Sequence, residues 1–595
     1  MDQTAQRAKR KYDSMLRRRD GMKAMFRSVS KYVLYRTAWF GDSNAPNRVV
    51  SKSIKDVYDD TAIDCAKAAA AAFVGALWPN AEESFELVPH PLMGVAGWKE
   101  RLGAQDVKTY YKDATLRSRT PFNSAEAGFT IAFAEHMREQ VVLGTSGIVF
   151  DEDEKNDAEP CFFRSISVET SVIDENERNR VDCIAFEYWY TARQVVDKYG
   201  EDKVSKATRD LASVPENEDT PVKVIQLIQP RRGGKAGEPK KEKPFASIHF
   251  EAAEQHTLLD DGMDVNCAYV VRFERRPGEL YGDSLAMGAM PTIREQNVTR
   301  MSFNRALGKQ LDPPVGFWTE MFGGAGSIDL SAGAKVQLFD NGSIPQGRRP
   351  VEQFMEVPEP RVASERITAN EERMMIKFML DKLLDFNNKT RMTLGEAQIR
   401  TDFRNQALGP FFSRQMVELL YPLIMRVVGM LWRRGMMGLR PKADADIIEA
   451  KKLKGEPVWV MPEVVEEFYE ATGQLPFFPR FCSPAARAMQ ADAQMGLEKL
   501  SNFVIALIGG GLTDAADSFD TDRAIELYQY HVGAPQEVVR AAEDRDAARQ
   551  ARQQAQAQMA QLEMQEQSSQ IAKNAAKAAK DSAQAGIAPG GLLSA

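Results

Sequence analysis

The stretch Gly278-Glu279-Leu280-Tyr281-Gly282-Asp283-Ser284-Leu285-Ala286-Met287 is followed, twenty-five residues on, by Asp312-Pro313-Pro314. Between them the chain reads as one helix over 287–311. It must end there, because a residue that precedes proline is driven out of the α region. On the N-terminal side of this stretch the sequence alternates with a period of two, and on the C-terminal side helical periodicity dominates. The hinge between the two regimes decides the fold class, a mixed α+β chain that is predominantly α-helical.

Working backward, 147–150, 161–166, 183–190, 222–228, 245–250 and 269–273 read as short strands. The acidic run Asp151-Glu152-Asp153-Glu154 reads as a solvated hairpin turn between two of them. Pro230–Pro244, with six Lys/Arg, three Gly and three Pro, reads as a mobile loop. Before the strands, 55–78 and 104–144 read as helices. The second is interrupted near Thr120-Pro121 and closed by Gly144 as a C-cap. Residues 1–40 hold eleven Lys/Arg against three Asp/Glu. Met15, Leu16, Met22, Met25, Phe26, Val29, Tyr32 and Val33 recur there near helical spacing, as on a solvated or partner-facing helix, or one that touches DNA or a membrane.

Working forward, 315–357 mixes glycine turns with short extended pieces, and Gly323-Gly324-Ala325-Gly326 reads as a flexible turn. A second helix is expected over 360–384, followed by the polar Asp385–Met392. Thr393-Leu394-Gly395-Glu396 is a capping box that opens a helix to about Arg434, kinked at Pro410 and Pro422. Of the 21 residues from Gln550 to Gln570, nine are Gln and four Ala. With only Met559, Leu562, Met564 and Ile571 to bury, that helix needs copies of itself or remains a partly disordered tail.

Composition narrows the function. The 595 residues carry 77 Lys+Arg against 84 Asp+Glu, a net −7, which disfavours a surface built throughout to grip nucleic acid. Cys65, Cys161, Cys183, Cys267 and Cys482 are scattered, as are His90, His136, His249, His256 and His531. This pattern predicts neither a disulfide framework nor a zinc site, and fits a reducing compartment. The longest apolar runs, Ala68–Trp78 and Phe503–Leu512, fall short of a bilayer span. No phosphate loop, G-x-S-x-G elbow, zincin motif or dinucleotide fingerprint is present, so no catalytic residue and no cofactor is expected.

The ordered fragments resemble the portal, or head-to-tail connector, proteins of short-tailed bacteriophages. The first is Gly278 to Met287 with Pro291, Ile293 and Asn297, ending at Asp312-Pro313-Pro314. Asp283 and Leu285 stand where members of that family often have Arg and Pro. The second is Met392-Thr393 with Glu396, Leu408-Gly409-Pro410, Glu418-Leu419-Leu420, Pro422-Leu423-Ile424 and Arg433-Arg434-Gly435. The third runs from Ser483-Pro484-Ala485-Ala486-Arg487-Ala488 through Asp522 and Ala524-Ile525 to Gly533-Ala534-Pro535 and Glu537-Val538-Val539-Arg540.

The resemblance implies a non-enzymatic ring, usually a dodecamer, at one capsid vertex of the virion. Double-stranded DNA passes along its axis in packaging and ejection. It implies a wing over 1–286, stem helices over 287–311 and 360–384, and a clip over 312–359. It further implies a tunnel loop over 385–392, a C-terminal wing over 393–535, a crown or barrel helix over 536–585, and a disordered tail over 586–595. The implied partners are further copies of the chain, the DNA, the major capsid and scaffolding proteins, the terminase large subunit and a tail adaptor, with no membrane. The resemblance also implies assembly in the host cytoplasm.

Asn387, Asn388, Lys389 and Arg391 of the tunnel loop are the expected DNA contacts. Arg366, Asn370, Arg373 and Lys377 share one face of the second stem helix, opposite Ile376, Met379 and Leu383, and Arg294, Arg305 and Lys309 share a sector of the first. These cations either face phosphate or pair with Glu295, Glu365, Glu371 or Glu372 at subunit contacts. A mostly acidic wall with few cations would let phosphates slide instead of holding them. The alternatives are a DNA-processing enzyme, such as a metal-dependent nuclease, and an assembly scaffold without a channel.

Overall fold

The computed structural model describes residues 2–35, 56–79, 84–94, 98, 101–102, 104–153, 156, 159–235, 239–313, 315–318, 335–338, 351–353, 361–383, 408–453, 458–510, 518–532 and 542–584. The expected Gly323–Gly326 turn, the tunnel loop, the Thr393–Glu396 capping box and the 586–595 tail lie outside them. Two compact units result. One comprises 1–94 with 110–491, the other 95–109 with 492–595.

The larger unit is built on an antiparallel five-stranded sheet in sequence order: β4 (Ser171–Glu175), β5 (Val181–Thr191), β6 (Pro221–Pro230), β7 (Phe245–Glu251) and β8 (His256–Met263). Period-two alternation sends Val172, Cys183, Ala185, Ile225, Leu227, Ala246, Ile248 and Phe250 to one face. The helix Gln3–Asp20 covers that face with Ala5, Ala8, Tyr12 and Met15, all buried.

The basic N-terminal helix is therefore not the solvated or partner-facing element expected from its charge. Its small and apolar positions are a core stripe, and several of its cations are used within the chain. Lys11 bonds Asp174 Oδ2 at 2.5 Å, and Arg18 pairs with the same carboxylate. Arg19, only 4% exposed, donates to the carbonyls of Val168, Glu169 and Ser171.

A second sheet orders β3 (Cys161–Ser167), β2 (Thr145–Glu152) and β9 (Ala268–Arg272), all antiparallel. The acid-rich β2–β3 turn is less solvated than expected. Asp151 pairs with Arg164, while Glu152 takes Arg426 at 3.0 Å and Arg433 at 2.7 Å from a helix nearly 280 residues away. The helix Phe129–Leu143 packs on this sheet and ends at Gly144, whose φ of +77° only glycine adopts cheaply. The preceding helix, Gln105–Asn123, ends two residues after Pro121, close to the expected interruption, and the next begins after the left-handed Gly128. The Pro230–Pro244 connection is tied at both ends, by Arg231 to Asp260 and by Lys243 to Asp264.

Four strands escaped the sequence reading. They are β4, β8, and the ribbon of β1 (Phe85–Pro89) with β13 (Phe477–Phe481), which joins residues almost 400 apart and is locked by Arg480 on Glu86 at 2.5 Å. A small sheet follows in which β10 (Val315–Trp318) lies parallel to β11 (Lys335–Leu338) and antiparallel to β12 (Val351–Gln353).

The expected kinked helix is described from Leu408. It carries a π-helical turn at Met416–Leu420 just before Pro422, and then continues as Tyr421–Arg433. Proline offers no N–H to the carbonyl four residues back, and a single wide turn absorbs the mismatch. Among the described residues Leu408–Arg433 is the one helix with the length and mean hydropathy of a bilayer span, which the run-length reading missed. Its Leu419, Leu420, Leu423, Ile424, Val427, Val428, Met430 and Leu431 are buried in the core.

In the smaller unit, Asp522 of the helix Thr521–Val532 binds Arg549 of the helix Ala542–Gln584 through two bonds of 2.6 and 2.7 Å. The Gln/Ala-rich segment is one continuous helix there, and Met559, Leu562, Met564 and Ile571 are each more than 60% exposed.

Candidate functional site

Two long helices stand out as the element to which the expected function attaches. The first, Leu285–Leu311, starts where Ser284 Oγ accepts from the Met287 N–H at 2.9 Å, a side-chain N-cap. The Gly-Glu-Leu-Tyr-Gly motif before it has a packing reason. Gly282 lies against Gly144, so closely that a Cβ on Gly282 would sit 2.7 Å from the Gly144 carbonyl oxygen and 2.9 Å from the Arg272 Cβ. Tyr281 is buried, and its hydroxyl accepts from the Ile173 N–H of β4. The motif thus anchors the start of the helix to both sheets.

The second helix is shorter than the expected 360–384. It runs Arg361–Lys377, breaks at Met379, whose φ is +58°, and resumes for one turn as Leu380–Leu383. Ile367, Asn370, Met374 and Phe378 form its buried stripe. Ile376 is 59% exposed, so the apolar edge expected there is not where the core sits.

The helices run antiparallel. Arg366 donates to Glu295 at 2.7 Å, and Lys377 donates to the Gly288 carbonyl at 3.1 Å. The bond from Arg366 holds the Glu295 carboxyl below the usual carboxylate range. Arg300 is the brace, lying 3.3 Å from Asp59 and 2.5 Å from Glu371. Asn297 extends the brace, accepting from the Tyr58 N–H at 2.7 Å and donating to the Asp56 carbonyl at 3.0 Å.

The cations expected on this pair therefore divide. Arg366 and Lys377 are engaged with the first helix, and Arg373 lies close enough to Glu295 to favour its charge. Arg294 donates to Ser28 Oγ at 2.8 Å and remains exposed. Arg305 and Lys309 have no ion-pair partner among the described residues. Asn387, Asn388, Lys389 and Arg391 lie outside those residues. Sequence reasoning missed Arg300 because it falls on the buried side of its helix. The usable signal was an arginine in line with the amides Gln296 and Asn297, a polar strip toward the core, with acidic Asp59-Asp60 upstream to receive it.

The model of the bacteriophage head-to-tail connecting proteins matches residues 5–539. The chain belongs to that family. It is a phage portal protein in kind, a structural component of the virion. The probable portal protein of Bordetella phage BPP-1 is 24% identical over 416 residues, covering 66% of this chain and 67% of that one. The portal protein of Salmonella phage epsilon15 is 24% identical over 388 residues, covering 63% of each. The chain thus spans about two thirds of the length of these relatives. A chain from the virion of a native gene transfer agent particle aligns over 70% of this chain and 89% of its own, at 11% identity and a TM-score of 0.25.

Proposed function

We propose that the chain assembles as a dodecameric ring at one capsid vertex, a channel through which double-stranded DNA is packaged and ejected. The observation that carries this is the braced helix pair. Its inner side is fixed by Arg300, while Val298, Val362 and Ile376 on its outer sides are 56%, 81% and 59% exposed. Large apolar side chains spaced along two rigid helices call for a cover, and neighbouring copies in a closed ring supply one.

On this reading the helix pair is the stem, the β10–β12 sheet belongs to the clip, and 385–392 is the tunnel loop that meets DNA with Lys389 and Arg391. Residues 1–286 and 393–535 form the wing, and the helix Ala542–Gln584 is the crown. The clip and wing dock the terminase large subunit, the tail adaptor, and the capsid and scaffolding proteins, and the chain itself catalyses nothing. Negative-stain images and mass photometry of the purified chain test the proposal. Rings with an axial hole and a mass of about 0.8 MDa, twelve times 66.5 kDa, are expected. A monodisperse monomer across salt conditions, or metal-dependent cleavage of DNA by that monomer, would sink it.

A further inference from the structure

The two helices carry unlike outer stripes. On the first, Arg294, Val298, Met301, Arg305 and Lys309 follow one another at i, i+4, i+7, i+11 and i+15, which is a single face. Arg294, Val298 and Arg305 are exposed, and Met301 and Lys309 half-buried. On the second, Val362, Glu365, Ala369, Glu372 and Ile376 fall at i, i+3, i+7, i+10 and i+14, and all five are exposed. Neither Glu365 nor Glu372 has an ion-pair partner among the described residues. One stripe is basic and apolar, the other acidic and apolar. The acidic stripe lies across the second helix from its buried face of Ile367, Asn370, Met374 and Phe378, and Arg366 and Lys377, which hold the first helix, flank it on one side.

We infer that these stripes meet between copies. The Arg294–Val298–Arg305 stripe of one subunit seats on the Val362–Glu365–Glu372–Ile376 stripe of the next. The inference rests on the ring reading above and adds which surfaces close the ring. A head-to-tail ring needs two different, mutually complementary patches on each protomer, and these differ in sign while sharing apolar character.

Register supports the match. Rotation about an axis along the helices leaves every residue at its own height, so the levels seen within one chain carry over to its neighbour. Within the chain, Glu295 stands opposite Arg366, Arg300 reaches Glu371, and Gly288 meets Lys377. At those levels Arg294 falls within a turn of Glu372, and Arg305 stands level with Arg361 and Val362, a little more than a turn from Glu365 and within reach of two extended side chains. Val298 and Ile376, each more than half exposed in the single chain, are then covered. Arg294 and Arg305 thereby serve subunit contact and not DNA.

The test is charge reversal with rescue in the full-length chain. Arg305→Glu and Glu365→Arg are each made alone and then together, and ring fraction is followed by mass photometry against protomer concentration. Each single variant should raise the half-assembly concentration about tenfold, and the double variant should bring it back to near the parent value. Circular dichroism of the singles should match the parent, since both positions are exposed. If the parent forms no ring, the portal-ring reading itself fails. If the parent forms rings and the double variant is no better than the singles, the stripes do not meet. Rings unchanged in Arg305→Glu, with DNA retention altered, would assign this residue to the channel and overturn the inference.

Discussion

Arg300 Nη2 lies 2.5 Å from Glu371 Oε1, and the same guanidinium sits 3.3 Å from Asp59, whose side chain is only 3% exposed. One arginine thus ties three segments, the two long helices and the stretch leading into the helix Thr61–Leu77. Removing it leaves a nearly buried carboxylate without its cation, held among the described residues only by the Thr61 hydroxyl and the Gln296 amide. Arg300→Ala should destabilise the chain by about 2 to 4 kcal/mol, more than an exposed ion pair is worth. Urea unfolding followed by circular dichroism measures this. A change below about 0.5 kcal/mol would mean the brace is ornamental.

Gly282 and Gly144 press backbone to backbone, and neither has room for a methyl group. Gly282→Ala should cost about 3 kcal/mol or more, because the obstacle is a carbonyl oxygen and cannot rotate away. Gly144→Ala should be worse, since its φ of +77° adds backbone strain. Soluble yield and thermal midpoint of the two variants check the order.

His136 is fully buried, and burial pushes it down to about 4. Its Nε2 meets Gln415 Oε1 at 3.3 Å, Gln415 in turn donates to Gln140 Oε1 at 2.6 Å, and Nδ1 has no partner among the described residues. The unfolded chain takes up a proton near pH 6.5 while the folded one resists to about pH 4, so stability is full above that window and falls as pH drops through it. The loss attributable to this histidine is about 3 kcal/mol by pH 4. Comparing denaturation midpoints from pH 7 to 4 for the parent and His136→Gln isolates it. The variant should show a shallower decline, and identical slopes would remove His136 as the cause.

Lys389 and Arg391 are the proposed DNA contacts of the tunnel loop. Particles carrying Lys389→Ala with Arg391→Ala should package DNA but retain it poorly or eject it abnormally, with ring formation intact. Parental retention and ejection in that double variant would move the DNA contact elsewhere.

Much of this was legible in residue order. Period-two runs located six strands, and the Gly278–Met287 motif and the Asp312-Pro313-Pro314 stop bounded the first long helix to within two residues. Strands β1 and β13 were illegible because each is only five residues long and carries a proline, Pro89 and Pro479, which locally argues against a strand. The Arg361–Lys377 helix was overextended because nothing near Met379 announces a left-handed residue.

The N-terminal helix shows the division most clearly. Its charge pattern alone fits a solvated or partner-facing helix, and only the sheet beneath it shows that Ala5, Ala8, Tyr12 and Met15 are core. Sequence by itself determined the order of the long helices and of six strands, the family and the cations available on the helix pair, because propensity, capping and proline geometry act over a few residues. Which of those cations are already engaged, and which have no ion-pair partner among the described residues, was decided only by tertiary structure. Ion pairing depends on distance in space, and Arg300 finds Asp59 and Glu371 far along the chain while Arg305 finds no such partner among the described residues.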